Sequence, residues 1–348
     1  MSAPSSRRRR TALVVGAIAA LTVSLTAACG SGDAATGSGD KLPTSADGTP
    51  NLKGTTIRIV TGAAPAIEDT KIALMAQVLK SWGADATIVN QTGDPSAIRV
   101  LLAGDADIGT LAVSSSINSG LKIFGPSQPR LDYHFIGAPS LSSMKDLPGH
   151  VYGTSNVHGV EALMFADLLA KNNIDPKAVT TTVAGGASVR VSAMLTHHID
   201  ATFAHATDVS KLTSAGFHDL VTMSKTAPEL ADSFLATSPQ WLASHGALAV
   251  AIDQAWIKAA QIFNTDKAQW VKAAVAYAKA DEKEASSTYD ALKAADTFPA
   301  SKDAYSEASA KVQEDLANKV GAITKAPATS VWVDTATWDK ATAAMKIN

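Results

Sequence analysis

Apolar and polar residues alternate from Thr55 to Thr61 (TTIRIVT), which predicts a strand ending in a loop at Thr61-Gly62. Ile72, Met75, Leu79 and Trp82 then fall at helical spacing, with Gly83 placed to end the helix. ATIVN, ending at Asn90, reads as a second strand. Asp94-Pro95 marks the next helix start, a capping oxygen followed by proline at the first helical position. Ile98, Leu101 and Leu102 form the expected buried stripe of that helix, and Gly104 closes it. DIGTLAV, from Asp107, is the third strand. Strands alternating with helices in this way imply a parallel sheet covered on both faces.

The pattern then recurs. HVYGTSNVHGVEALMFADLLA, from His150, reads as strand, loop and helix, and VTTTVAGGASVRVSAMLTHHIDATFAH, from Val179, as strand, glycine loop, helix and strand. AIRVLLAGDADIGTL and VRVSAMLTHHIDATF each hold a short amphipathic helix, a tight exit and an aspartate opening a strand, Asp107 and Asp200. They are expected to be equivalent units in two lobes. From Ser238 the chain turns into Ala- and Lys-rich helices. Trp256, Ala259, Ala260 and Phe263 share one face, as do Trp270, Ala273, Ala274 and Tyr277, and both faces are expected to pack rather than bind.

The first residues look like an export signal. Four arginines, Arg7 to Arg10, precede a charge-free, small-residue-rich run from Thr11 to Ala28, ending in the Thr26-Ala27-Ala28 that a signal peptidase accepts. A permanent transmembrane anchor is the rival reading, but the run reaches only the lower end of spanning length. LTAACG, from Leu25, resembles a bacterial lipoprotein signal, in which cleavage leaves the cysteine at the new N-terminus and its sulfur is lipidated; it departs from the commonest pattern in having Thr26 where Leu is usual. Residues 1–28 are therefore expected to be a lipoprotein signal peptide, and Cys29 the palmitate-type lipidation site. An incidental thiol beside a simple cleavage site is the alternative. Cys29 is the only cysteine, so an internal disulfide is excluded. Residues 29–53, rich in Gly, Ser, Asp and Pro without apolar periodicity, are expected to be a flexible tether with an r.m.s. reach of roughly 25–30 Å.

The formal net charge is −2, and removing residues 1–28 takes away four arginines and no acid, leaving −6. No basic run survives, which argues against a nucleic-acid partner. The remaining length is large for one core and favours two lobes.

Several segments together resemble ABC-transporter solute-binding proteins of the nitrate, sulfonate, taurine and thiamine-pyrimidine type. They are RVLLAGDADIGTL, MKDLPGHVYGTSNVHGVEALMFADLLAKNNID, VSAMLTHHIDATFAH and WLASHGALAVAIDQAWIKAAQIF. The similarity runs from about Thr55 to Lys346. One departure is Thr196-His197-His198, where that family usually has a small residue and glycine. The resemblance implies an α/β, two-lobed periplasmic-binding-protein type II fold. Each lobe would have a central, mostly parallel sheet flanked by helices, with a ligand cleft between the lobes. It places crossovers near Phe135–Ser140 and Ser233–Thr237, with lobe 1 at residues 55–140 plus 237–348 and lobe 2 at 141–236. Closure on ligand would be a hinge motion read by a membrane permease.

In open α/β sheets ligands sit beyond the C-terminal ends of the strands, where loops and helix N-termini converge. Four loops qualify. They are Thr61-Gly62, the hydroxyls of Ser114, Ser115 and Ser116, the Asn156 to His158 turn, and Gly185-Gly186. His205 and Asp208, after the Asp200 strand, are expected to face the cleft from lobe 2. Ordinary helix capping is the competing explanation for each loop. Arg99 and Arg190 are expected to be solvated. Tyr133, Tyr152 and Phe203 are the candidates for ring stacking. His197 and His198, beside Asp200, are adjacent and point in different directions, and no further ligand follows at metal spacing; Ser142-x-x-Lys145 lacks the companions of penicillin-binding enzymes. No P-loop or dinucleotide fingerprint occurs. No metal, cofactor or catalytic constellation is therefore expected, and no enzyme.

The resulting expectation is an extracytoplasmic solute-binding component of an ABC importer, a monomer lipid-anchored to the outer face of the bacterial cytoplasmic membrane. It would capture a small polar or anionic organic solute, nitrate-, sulfonate- or taurine-like, and deliver it to the permease. The alternatives are a thiamine-pyrimidine ligand, with a carboxylate such as Asp208 or Glu68, a ligand-sensing surface lipoprotein, and an enzyme of the related pyrimidine-forming type.

Overall fold

The computed structural model describes residues 42–347 except 47, 158 and 324. Cys29 and the export-signal run lie outside the described residues. Two five-stranded mixed sheets organise the chain. The first contains β1 (Thr56–Thr61), β2 (Asp85–Asn90), β3 (Ile108–Leu111), β4 (Lys122–Gln128) and β10 (Ser233–Thr237), in the order β2-β1-β3-β10-β4. The second contains β5 (Tyr133–Gly137), β6 (Val151–Thr154), β7 (Thr180–Val183), β8 (Ala201–His205) and β9 (His218–Thr222), in the order β7-β6-β8-β5-β9. In each sheet the first three strands run parallel. The fourth, β10 or β5, runs antiparallel to both its neighbours.

Helices α1 (Thr70–Ser81), α2 (Asp94–Leu102) and α3 (Val113–Asn118) belong to the first sheet. The second sheet has α4 (Val160–Lys171), α5 (Ala187–Leu195), α6 (Ala206–Ser214) and α7 (Met223–Thr226). The C-terminal run is α8 (Pro239–Ser244), α9 (Gly246–Thr265), α10 (Lys267–Ala278), α11 (Glu282–Ala294), α12 (Glu307–Lys319), α13 (Thr329–Trp332) and α14 (Ala336–Met345). Trp256, Ala259, Ala260 and Phe263 are buried together in the first core with Trp270, Ala273 and Ala274. The second sheet has its own cores, one around Phe135, Tyr152, Phe165 and Phe203 and one around Val191, Met194 and Ile199.

The two aspartates singled out by the repeat do the same work. Asp107 Oδ2 accepts from the backbone N–H of Arg58 at 2.7 Å, and Asp200 Oδ2 from that of Val151 at 2.8 Å. Each thus fastens the start of one central strand to the next.

Several expectations are corrected. Phe135 lies mid-sheet in the second sheet, and Ser233–Thr237 lies in the first. The chain passes between sheets earlier, between Gln128 and Tyr133 and between Thr222 and Ser233. The tether does not run to Lys53. Leu52 is fully buried, its N–H donates to Trp82 O at 2.8 Å, and Thr44 bridges Pro50, because an apolar residue there completes the core beside α1. On α2, Leu102 is 58% exposed and Ala97 takes the buried position. In the departing Thr196-His197-His198 turn, His197 adopts φ 55°, the left-handed conformation for which glycine is the usual choice.

Candidate functional site

The loops at the ends of β1, β2 and β3 use their polar groups on one another. Thr61 is buried, donates to Ala63 O at 3.0 Å and accepts from Asn90 Nδ2 at 2.9 Å. Gly62 packs so closely on the start of α2 that a Cβ there would lie 2.7 Å from Asp94 Oδ1. Asp94 does not cap α2. Its carboxylate turns across to α3 and accepts from Ser115 Oγ at 2.6 Å. Burial pushes the Asp94 carboxyl up from its ordinary value, against the hydrogen bond from Ser115. Ser116 Oγ donates to Ala112 O at 3.1 Å, and Ser114 is buried.

The matching loops of the second sheet are closed by a buried ion pair. Glu161, in the first turn of α4 and 4% exposed, accepts from Ser155 N and Ser155 Oγ at 2.8 Å each and from Thr154 Oγ1 at 3.0 Å. Its other oxygen meets Arg190, which is 2% exposed rather than solvated. Arg190 also donates to Thr202 Oγ1, Gly185 O and Phe203 O. Four acceptors inside the lobe offset the desolvation of the guanidinium. Gly185, at φ 100°, and Gly186, the N-cap of α5, therefore shape the Arg190 cradle. Asn156 is exposed, and its carbonyl accepts from Thr154 Oγ1 at 3.1 Å. His158 lies outside the described residues. Arg99 is exposed, as expected.

The seam between the sheets holds a continuous polar network. Thr207, in the first turn of α6, donates to Glu68 Oε1 at 3.1 Å across the seam. Lys71 of α1 is 5% exposed and donates to Gln128 Oε1 at 2.8 Å and Asp69 Oδ1 at 3.1 Å. Gln128 Nε2 donates to Asp132 Oδ1 at 3.1 Å, and Asp132 Oδ2 lies 2.9 Å from His205 Nδ1. Burial opposes the His205 charge, but the Asp132 carboxylate outweighs it and holds the imidazole up at about 10. Asp232, on the other crossing segment, is pushed by burial to about 6 against the pull of Lys71. Asp208 is half-buried, and desolvation raises its carboxyl despite His205 nearby. Asn90 Nδ2 also donates to the Tyr277 hydroxyl at 3.1 Å, which brings an aromatic ring from α10 to the rim.

Of the expected residues, the structure thus brings His205 and Asp208 to the seam and gives Ser115, Ser116, Gly185 and Gly186 internal roles. Lys71, Gln128, Asp132, Asp232, Thr207 and Tyr277 were not anticipated. One signal was readable: Asp132 and Asp232 each immediately precede a strand that enters the other sheet. Tyr133, Tyr152 and Phe203 form one buried ring cluster, so ring stacking with a solute is not available to them. Among the described residues no group of three His, Cys, Asp or Glu side chains could hold a metal ion. No described helix is long and apolar enough to cross a membrane.

Two mixed sheets with this shared strand order, covered by helices and linked by two crossings, define a periplasmic-binding-protein fold. Residues 79–266 match the family described as NMT1/THI5 like, and the chain belongs to that family. Among solved structures, the ligand-binding component of an ABC-type import system from Staphylococcus aureus, with zinc bound, is 14% identical with a TM-score of 0.68. The match covers 82% of this chain and 99% of that one. The periplasmic aliphatic sulphonate binding protein SsuA from Escherichia coli is 14% identical with a TM-score of 0.65, over 79% of this chain and 91% of that one. The periplasmic nitrate-binding protein NrtA from Synechocystis PCC 6803 is 11% identical with a TM-score of 0.55, over 66% and 68%. By sequence, no curated protein matches the chain.

Proposed function

We propose that this chain is the extracytoplasmic solute-binding component of an ABC importer, taking a small polar solute at the seam between its two sheets. The observation that carries the reading is the seam network: Glu68 and Lys71 from one side, Thr207, His205 and Asp208 from the other, with Asp132 on the segment that joins them. A solute that bridges these groups binds the closed arrangement better than the open one, and that difference in affinity drives closure. The lobes divide at the two crossing segments, and the closed form docks on the permease. The protein releases its solute unchanged. In this reading Cys29 carries the lipid that holds the monomer at the outer face of the membrane, and the residues that follow act as the tether.

For the head group, the imidazolium of His205 supports an organic anion of the sulfonate, nitrate or taurine kind. A second reading, a thiamine-type pyrimidine, is favoured by Asp208 and Glu68 as acceptors and by Tyr277 at the rim. Thermal melting against both classes separates them. A true solute at 100 times its Kd adds roughly 2.7 kcal/mol of stability. Loss of that gain in His205→Asn alone marks the anion, and loss in Asp208→Asn alone marks the pyrimidine. No shift from any sulfonate, nitrate or pyrimidine removes both.

A further inference from the structure

On the flank of the second sheet lies a cavity of about 440 Å³ whose lining shares no residue with the seam network. Its long wall is one stripe of α4, with Ala162, Phe165, Ala166, Leu169 and Ala170 at helical spacing. Ile174 and Pro176 close one end, and Thr154 and Val157 the other. Lys319 and Val320, at the end of α12, form the roof. The stripe is small where the opposite face of α4 is large: Leu163, Met164 and Leu168 fill the core, while three alanines leave the space open. An apolar space of this size falls in the range of small-molecule sites.

Its rim carries one charge of defined sign. Lys311 on the same helix is paired with Glu314 and Asp315. Lys319 is exposed and has no acidic partner among the described residues. Thr181 lines the wall, whereas the Thr154 hydroxyl is held by Glu161 and the Asn156 carbonyl. We propose that this cavity is a second binding site, for an amphiphilic organic acid whose alkyl or aryl body lies along the alanine stripe of α4 and whose anionic group meets Lys319. Its roof belongs to a helix that packs on both cores, on the first through Leu316 and Val320 and on the second through Val312 and Leu316, and its walls belong to the second sheet. Occupancy therefore ties α12 to α4. The site stands independently of the solute proposed for the seam.

The test is calorimetric titration of decanoate and of 1-decanol into the chain from Gly30 onward, which keeps every described core residue. Ala166→Trp fills the groove, and Lys319→Glu reverses the rim charge on an exposed residue. The expected result is one decanoate per chain. Ala166→Trp weakens both probes by about tenfold or more, and Lys319→Glu weakens decanoate by about tenfold while leaving decanol within about twofold. Failure of decanoate to bind the parent protein overturns the site. So does decanoate binding that Lys319→Glu leaves unchanged, or equal loss of acid and alcohol in that variant. If Ala166→Trp melts like the parent and still binds both probes, the molecules sit elsewhere and the assignment is wrong.

Discussion

At the scale of single residues, charge is placed where it is compensated. Asp132 keeps His205 protonated through neutral pH, with the imidazole at about 10 rather than near 6.5. Because the folded value lies above the unfolded one, this stabilisation is fully present below about pH 6.5 and fades as pH rises toward 10. Histidine NMR titration of the parent should show no His205 transition between pH 6 and 8. In Asp132→Asn the transition should move down into that window, with stability at pH 7 lower by about 3 kcal/mol, the cost of stranding a buried partner. The Glu161–Arg190 pair makes a parallel case. Glu161→Gln or Arg190→Met alone should cost about 3–5 kcal/mol in urea unfolding, and the double variant should recover a large part of it. If the double variant loses as much as the two singles summed, the pair is not coupled.

At the scale of elements, close approach decides what is allowed. A Cβ on Gly125 of β4 would fall 1.9 Å from Asp253 Oδ1 on α9, so Gly125→Ala should destabilise by about 1–3 kcal/mol, and Asp253→Ala should relieve it. Both Asp253 oxygens are buried without a hydrogen-bond partner among the described residues, and burial raises the carboxyl well above its usual value. A raised carboxyl contributes stability below the unfolded carboxylate range and loses it as pH climbs. Asp253→Asn should therefore flatten the alkaline side of the stability curve. The elements themselves were legible: alternation found β1, helical spacing found α1 and α9, and the two strand-opening aspartates betrayed the duplication, because each signal is local. Partnership was not legible. Arg190 reads as solvated until Glu161 is known to lie beside it, and Asp94 reads as a cap until Ser115 arrives from another helix. His205 and Asp208 were expected at the seam, but the partners they join there were not, since the network's members are scattered from Glu68 to Asp232.

At the scale of the whole molecule, the two sheets and their helices meet through apolar packing as well as specific polar contacts. Leu163 of α4 is buried in the first core, Val312 and Leu316 of α12 pack on the second, and Thr207 reaches Glu68. Thr207→Val removes a hydrogen bond made across the seam and should weaken solute binding by about tenfold, in line with a bond to a charged group. Small-angle scattering should show solute contracting the parent more readily than the variant; equal contraction at equal concentration argues that Thr207 plays no part in closure. The path of the chain has a further consequence. The second sheet is built from one uninterrupted stretch, Tyr133 to Thr222, whereas β10 must return from beyond it to sit between β3 and β4. A nascent chain emerging N-terminus first can therefore finish the later lobe while the earlier one still waits for its central strand. The older residues depend on younger ones to mature, and a polypeptide truncated before Ser233 would carry a competent second half behind an aggregation-prone first.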